Sequence, residues 1–397
     1  MEKVSASEMQ ICKLEQCTGC FACEAICPKQ AIIAVEDEYG KTIPHIEKEK
    51  CVKCGLCTQV CPVQKPREIR YPGKCYAAWT KSDYDRENCA SGGIATGIGR
   101  HFIEQGGVVF GSKYTGVDEL KCEITMATTM EELEDFKSSK YVQVSTGDSY
   151  QKAKEQLDLG RKVLYVGTPC QIGGLLNFLR KDYENLTTMD LICHGVPPMK
   201  YLKEYAESVT DEKVTRITFR GKNDFMICMY RDEKTEKNDV PCYRQHFYKD
   251  YYYEAFLKSL TYRDNCYQCQ YAKTQRVSDI TIGDFWELNR DTLEHHYEGR
   301  ISEVLINTPQ GENIFLQCGK YFVYEERELQ EAVAGNEQLR TPSTPHPDYK
   351  IFKDTVKSHG FTRAVKATHV KATIRKNILA DSRFGKVLRR IKQFIKK

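Results

Sequence analysis

Two runs of cysteine stand near the start of the chain, Cys17-x2-Cys20-x2-Cys23-x3-Cys27-Pro28 and Cys51-x2-Cys54-x2-Cys57-x3-Cys61-Pro62. The spacing suits an iron–sulfur cubane, which needs four thiolates around one small volume. Three cysteines on a tight loop wrap three irons, and the fourth iron takes a more distant ligand. The competing chemistry is a pair of zinc sites. Zinc is satisfied by four ligands and rarely uses three cysteines at this spacing ahead of x3-Cys-Pro. Two 4Fe–4S clusters are therefore expected, and single-electron transfer with them. Cys12 falls outside the pattern and reads as a spare thiol.

Between the runs, AIIAVEDEYGKTIPHI reads as a hairpin turning at Tyr39-Gly40. Runs and hairpin together resemble the bacterial two-cluster ferredoxins. In those proteins the last cysteine of each run serves the cluster of the other run. The resemblance assigns Cys17, Cys20, Cys23 and Cys61 to one cluster and Cys51, Cys54, Cys57 and Cys27 to the other. A module this small has little core, and its clusters are expected to hold it together.

Three later loops also carry reactive residues. Cys89-Ala90-Ser91-Gly92-Gly93 opens a helix. Its glycines admit a ligand to the backbone and a helix N-terminus offers N–H groups to phosphate, although the same residues make an ordinary cap. Gly167-Thr168-Pro169-Cys170-Gln171 joins a strand to a helix. Cys170 there is either at a ligand position of an α/β sheet or a buried apolar cysteine. Cys266-Tyr267-Gln268-Cys269 needs partners, and the nearest in matching loop positions are Cys170 and Cys193. Spacing alone leaves open whether these four hold a third 4Fe–4S cluster.

GTPCQIGGL (167–175), LICHGVPP (191–198), CYQCQYA (266–272) and SDITIGDFW (278–286), in this order, resemble the beta-subunit family of coenzyme F-420 hydrogenases and dehydrogenases, which includes 7-hydroxymethyl chlorophyll a reductase. ASGG (90–93), GGVVFGSKY (106–114) and SSKYVQ (138–143) match it too, so the resemblance runs from about Cys75 to about residue 350. It implies a noncovalent FAD beside a 4Fe–4S cluster ligated by Cys170, Cys193, Cys266 and Cys269. It also implies flavin contacts from Ser91, Gly92, Gly93, Lys140 and Tyr141, with Thr168 and Gln171 beside them. The family has a serine-rich start to the SGG loop where this chain has Cys89-Ala90, which leaves that loop's hydrogen bonds open. His194 follows a proposed ligand. It is the candidate catalytic residue, passing a proton to flavin or substrate, with local hydrogen bonding that tunes the cluster as the alternative.

The elements that must position these residues are those of an α/β body. Strands are predicted at 106–111, 162–167 and 188–193, a helix at 172–180, and another opened by Pro198. A small α+β ferredoxin-like domain precedes the body and a basic helical tail follows it. The expected domains are 1–66, 67–150 and 151–335 for ferredoxin and two body parts, then 336–397 for linker and tail. The aromatic segment 248–256 reads as a packed helix. In the tail, Phe384, Val387, Leu388, Ile391, Phe394 and Ile395 repeat at helical spacing among Lys386, Arg389, Arg390, Lys392, Lys396 and Lys397. Such a helix lies on an anionic membrane surface or docks on protein.

Composition sets the frame. The 397 residues are 41% hydrophobic and 29% charged, as in soluble globular proteins, and allow two or three domains. Residues 362–397 hold twelve of the 59 basic residues and one of the 55 acidic ones, so the rest is mildly acidic. The first sixteen residues lack an apolar run, and no stretch approaches the roughly 20 apolar residues of a membrane helix. A cytoplasmic protein is expected, peripheral at the inner membrane face if the tail binds lipid. In a reducing compartment the nineteen cysteines argue for ligation over disulfides. Twelve are assigned to clusters, and Cys12, Cys75, Cys89, Cys122, Cys228, Cys242 and Cys318 are left as core or surface thiols.

The expectation is an iron–sulfur flavoprotein oxidoreductase working on a small molecule or a deazaflavin-type substrate. Its rival is an electron-transfer subunit that serves a partner protein and has no substrate of its own. A third reading is a membrane-surface adaptor whose clusters serve only structure. No nucleic-acid recognition motif is present.

Overall fold

The computed structural model describes residues 10–116, 119–220, 224–231 and 240–381. The amphipathic stretch read from Phe384 onward lies outside them. Strand β1 (Ile32–Glu36) pairs antiparallel with β2 (Thr42–Ile46), so the hairpin forms where the sequence predicts it. Gly40 closes the turn at φ 76°, a left-handed conformation that costs glycine little. Short helices, Ala22–Ala25 and Leu56–Gln59, follow the two cysteine loops.

The body is built on one eight-stranded mixed sheet. Its members are β3 (Lys74–Thr80), β4 (Val108–Tyr114), β5 (Cys122–Ala127), β6 (Val163–Gly167) and β7 (Leu186–Leu191). A three-stranded sheet of β8 (Arg216–Thr218), β9 (Met226–Tyr230) and β10 (Tyr243–His246) intervenes in the chain. The large sheet then resumes with β11 (Ile280–Asp284), β12 (Ser302–Ile306) and β13 (Phe322–Arg327), in the order β13-β3-β12-β11-β7-β6-β4-β5. One sheet thus draws strands from both expected body parts. β4, β6, β7 and β11 run parallel. Val163, Leu164 and Tyr165 of β6 are buried, as expected of a strand covered on both faces.

The chain leaving the carboxyl ends of β6 and β7 carries Cys170, in the first turn of the following helix, and Cys193, in a loop. The first of these helices is Pro169–Leu179, whose N-cap Thr168 and third residue Gln171 form a reciprocal capping box. The Cys193 loop leads to helix Met199–Val209, with Pro198 at its N-cap rather than inside its first turn. The aromatic segment is helical over Tyr251–Leu257, with Tyr252, Tyr253 and Phe256 buried.

Residues 349–381 differ from the sequence expectation. Their composition groups them with a linker and tail, yet they form helices Tyr349–Lys366 and Val370–Asp381 whose Phe352, Val356, Phe361, Ala364, Val365, Val370 and Ile374 pack into the body core. Gly360 kinks the first at φ 73°, ψ 173°, which breaks the apolar period that would have announced it. Among the described residues, no helix is long and apolar enough to cross a membrane.

Candidate functional site

The twelve assigned cysteines fall into three sets of four. Cys27, Cys51, Cys54 and Cys57 line one cavity, about 870 Å³ including its open mouth, with Ile32 and Ile46 of the hairpin behind them. This is the outer set, and Cys54 is the one exposed cysteine among the described residues. Gly55, in the left-handed region at φ 75°, opens the helix beyond it.

Cys17, Cys20, Cys23 and Cys61 form the inner set, and all four are buried. Cys23 feels the charge of the other three, and burial holds its thiol well above the ordinary value. Cys12, a spare thiol by its spacing, hydrogen-bonds to both Cys17 and Cys61. Those contacts, with Cys12 as partner, draw Cys17 down to about 6 and Cys61 down to about 7. No spacing rule marks Cys12, because its neighbours come from both runs.

Cys170, Cys193, Cys266 and Cys269 form the body set. They line a cavity of about 540 Å³, part of it open, together with Thr18, Thr168, Arg276 and Ser343. Burial pushes Cys170 up to about 11 and Cys266 up to about 12, and raises Cys193 and Cys269 as well. Thiols held protonated in this way become thiolates only against a strong local cation. Among the described residues, no three His, Cys, Asp or Glu side chains close on a single metal ion. Four thiols round a cavity are instead the donor set of a cubane, which the outer and body sets fit, while the inner set brings four buried thiols together. Arg276 braces the body set through Asp190 (Nη2–Oδ1 2.9 Å) and donates from Nε to Thr281.

The inner and body sets are neighbours. Helix Pro169–Leu179 packs on the module, where a Cβ built on Gly174 would stand 3.0 Å from Cys20 Sγ. Thr18 of the inner loop lines the body cavity. The three sets therefore run in series, from the exposed outer one through the inner one to the ends of β6 and β7.

The residues expected to touch flavin are dispersed over several places. Ser91, Gly92 and Gly93 lie against β3 and β12, where Gly92 N–H donates to Ser302 Oγ at 2.9 Å and Gly92 O accepts from Thr80 N–H. Lys140 caps a helix end, its Nζ donating to the carbonyls of Asp135, Phe136, Lys137 and Ser138. Tyr141 stacks on Phe256 and its hydroxyl accepts from Arg220 at 2.8 Å. Thr168 and Gln171 serve the capping box, and Gln171 Nε2 donates to Val144 O. Thr168 also faces the body cavity, its Oγ1 lying 3.2 Å from Cys170 Sγ.

Sequence reasoning missed a charged group at this end of the sheet. Arg220 bridges Tyr141 and Asp284, with Nη2 2.6 Å from Asp284 Oδ2. Arg300 lies within reach of Arg220, Asp284 and Cys89, and burial lowers its pKa. Asp284 belongs to the SDITIGDFW segment, so a signal existed for it; the lone arginines offered none. His194 is exposed at the surface, and desolvation by the surrounding protein lowers its pKa. Asp284, Glu337 and Arg220 act on its ring, and Ser343 Oγ donates to its carbonyl at 2.6 Å.

Residues 160–332 match the family described as the C terminus of the coenzyme F420 hydrogenase/dehydrogenase beta subunit. That segment belongs to this beta-subunit family. Residues 16–65 match the 4Fe–4S dicluster domain. The beta-subunit domain and an iron–sulfur domain thus share one chain, a combination made for electron transfer. A chain of the F420-reducing [NiFe] hydrogenase complex from Methanosarcina barkeri is similar over 75% of this chain and 91% of its own, at 17% identity and a TM-score of 0.44. No curated protein sequence matches the chain.

Proposed function

We propose that the chain is an iron–sulfur flavoprotein oxidoreductase that moves electrons between a redox partner protein and a small-molecule or deazaflavin-type substrate. The observation that carries the reading is the series of three four-thiol sets, ending where α/β sheets hold ligands. When bound, 4Fe–4S clusters pass electrons singly, and an FAD gathers two and delivers a hydride.

The residues divide the work. The exposed Cys54 edge, flanked by exposed Lys29, Lys48, Lys50 and Lys53, meets the partner. Cys17, Cys20, Cys23 and Cys61 carry the path under the surface, and Cys170, Cys193, Cys266 and Cys269 end it. Arg220 Nη1 is buried without a hydrogen-bond partner. An orphaned guanidinium N–H fits an acceptor-rich group such as the FAD diphosphate. His194, whose lowered pKa favours the neutral ring, accepts a proton from the substrate.

The rival, an electron-transfer subunit without its own substrate, is favoured by one fact. Gly92, Lys140 and Gln171 already have their polar atoms committed to neighbouring protein. Anaerobic purification with iron, sulfide and flavin counted separates the two. About twelve irons and one FAD per chain are expected, from three cubanes of four irons. Twelve irons without flavin would leave the rival, and eight irons would remove the body cluster.

A further inference from the structure

Arg263 is a buried cation with no carboxylate partner among the described residues. It is 1% exposed. Its Nη1 donates to Gln143 Oε1 at 2.7 Å and to Thr42 O at 3.0 Å, its Nη2 to Cys17 O at 3.1 Å, and its Nε to Asn265 Oδ1 at 3.3 Å. All four acceptors are neutral. The other two strongly buried arginines at this end of the sheet have carboxylates, Asp190 for Arg276 and Asp284 for Arg220. Among the described residues, Arg263 makes no ion pair. A guanidinium taken out of water without a counter-charge is unfavourable, so its partner must be a charge of another kind.

The position of Arg263 points to that charge. Its acceptors belong to both the ferredoxin module (Cys17, Thr42) and the body (Gln143, Asn265). It stands three residues before Cys266. The Cys17–Cys20 loop is moulded to it, since Gly19 at φ 68° turns where a Cβ would meet Gln143 and the guanidinium. The charge acts on Cys17 of the inner set and on Cys170 and Cys266 of the body set.

We propose that Arg263 is the shared counter-ion of the inner and body clusters, and that it sets their potentials at the junction between module and body. The inference rests on the body set holding a cluster. In the step it governs, one electron leaves the inner cluster and arrives at the body cluster, and no atom is transferred. Each cluster becomes more negative on reduction, so a fixed positive charge beside it favours the reduced form. Holding both up together keeps the crossing close to level. Arg263 is thus a positioning and tuning residue, not a catalytic one.

The test is a potentiometric titration of the full anaerobic chain followed by electron paramagnetic resonance, on wild type, Arg263→Gln and Arg263→Lys. At a fixed potential, Arg263→Gln should lower the reduced-to-oxidised ratio of the inner and body clusters by about tenfold, which is about 59 mV for a one-electron couple. The more distant outer cluster should move far less, and Arg263→Lys should stay near wild type. Arg263→Gln with a full iron complement and unmoved ratios would overturn the proposal. If that variant fails to hold iron, Gln143→Glu decides, because it sets a carboxylate against the guanidinium. The same downward shift supports the proposal and no shift overturns it. Eight irons in the unsubstituted chain would instead remove the body cluster, and the proposal with it, before any variant is made.

Discussion

Gly174→Ala should weaken the protein, against the usual rule for helices. Alanine in a helix interior is better than glycine by about 1 kcal/mol. Gly174 is in the interior of Pro169–Leu179, so propensity alone predicts stabilisation. The added Cβ would stand 2.9 Å from the Tyr150 hydroxyl, 3.0 Å from Cys20 Sγ and 3.1 Å from Cys20 Cβ. Ordinary contacts are about 3.5–4.0 Å, so the neighbours must retreat by roughly 0.5–1 Å. They have nowhere to go. Tyr150 is wholly buried, with its hydroxyl donating to Gln171 O at 2.8 Å, and Thr146 Oγ1 bonds the Cys20 carbonyl at 3.2 Å. Overpacking of this kind costs about 1–3 kcal/mol, which cancels or exceeds the propensity gain. Because Cys20 is a proposed ligand of the inner cluster, that cluster is expected to be lost more readily. Anaerobic urea unfolding and iron counts after chelator challenge check both parts. A variant that is more stable by about 1 kcal/mol and keeps its iron as wild type does would refute the close packing of module on body.

Cys193→Ser should remove about four irons per chain, whereas Cys318→Ser, at a buried cysteine outside the three sets, should remove none; iron analysis separates them. Phe352→Ala empties a site packed edge-on against Tyr201 and should cost about 3–5 kcal/mol in denaturant unfolding. Glu303 is wholly buried with one bond from Asn336, and burial raises its carboxyl to about 8. Its folded-state pKa lies above the unfolded value near 4.5. The stability it contributes is therefore full below pH 4.5 and is lost as pH climbs toward 8. Glu303→Gln should flatten that decline, seen as a smaller change in unfolding midpoint between pH 5 and pH 8 than in wild type.

The parts of the site legible in sequence are those whose chemistry repeats at fixed local spacing. The two cysteine runs, the hairpin at Gly40 and the strand-loop-helix units around Cys170 and Cys193 are all of this kind. What escapes depends on residues distant in the chain. Arg263 reaches Cys17 across 246 positions and Arg220 reaches Asp284 across 64, and a single arginine has no pattern of its own. Cys12 gains its meaning only when Cys17 and Cys61 fold round it. The docked helices at 349–381 escape for another reason. The Gly360 kink splits their buried residues between two faces, so no window shows a continuous stripe.

The burial of the inner set also limits how the molecule can be made. Cys17, Cys20 and Cys23 are buried, Cys20 lies against helix Pro169–Leu179, and Arg263 ties their loop to the body from within. In this packed arrangement none of the three is exposed. If the inner set holds a cluster, its iron is expected to enter before module and body pack together. The outer set, with Cys54 at the surface, is the one that remains open to repair.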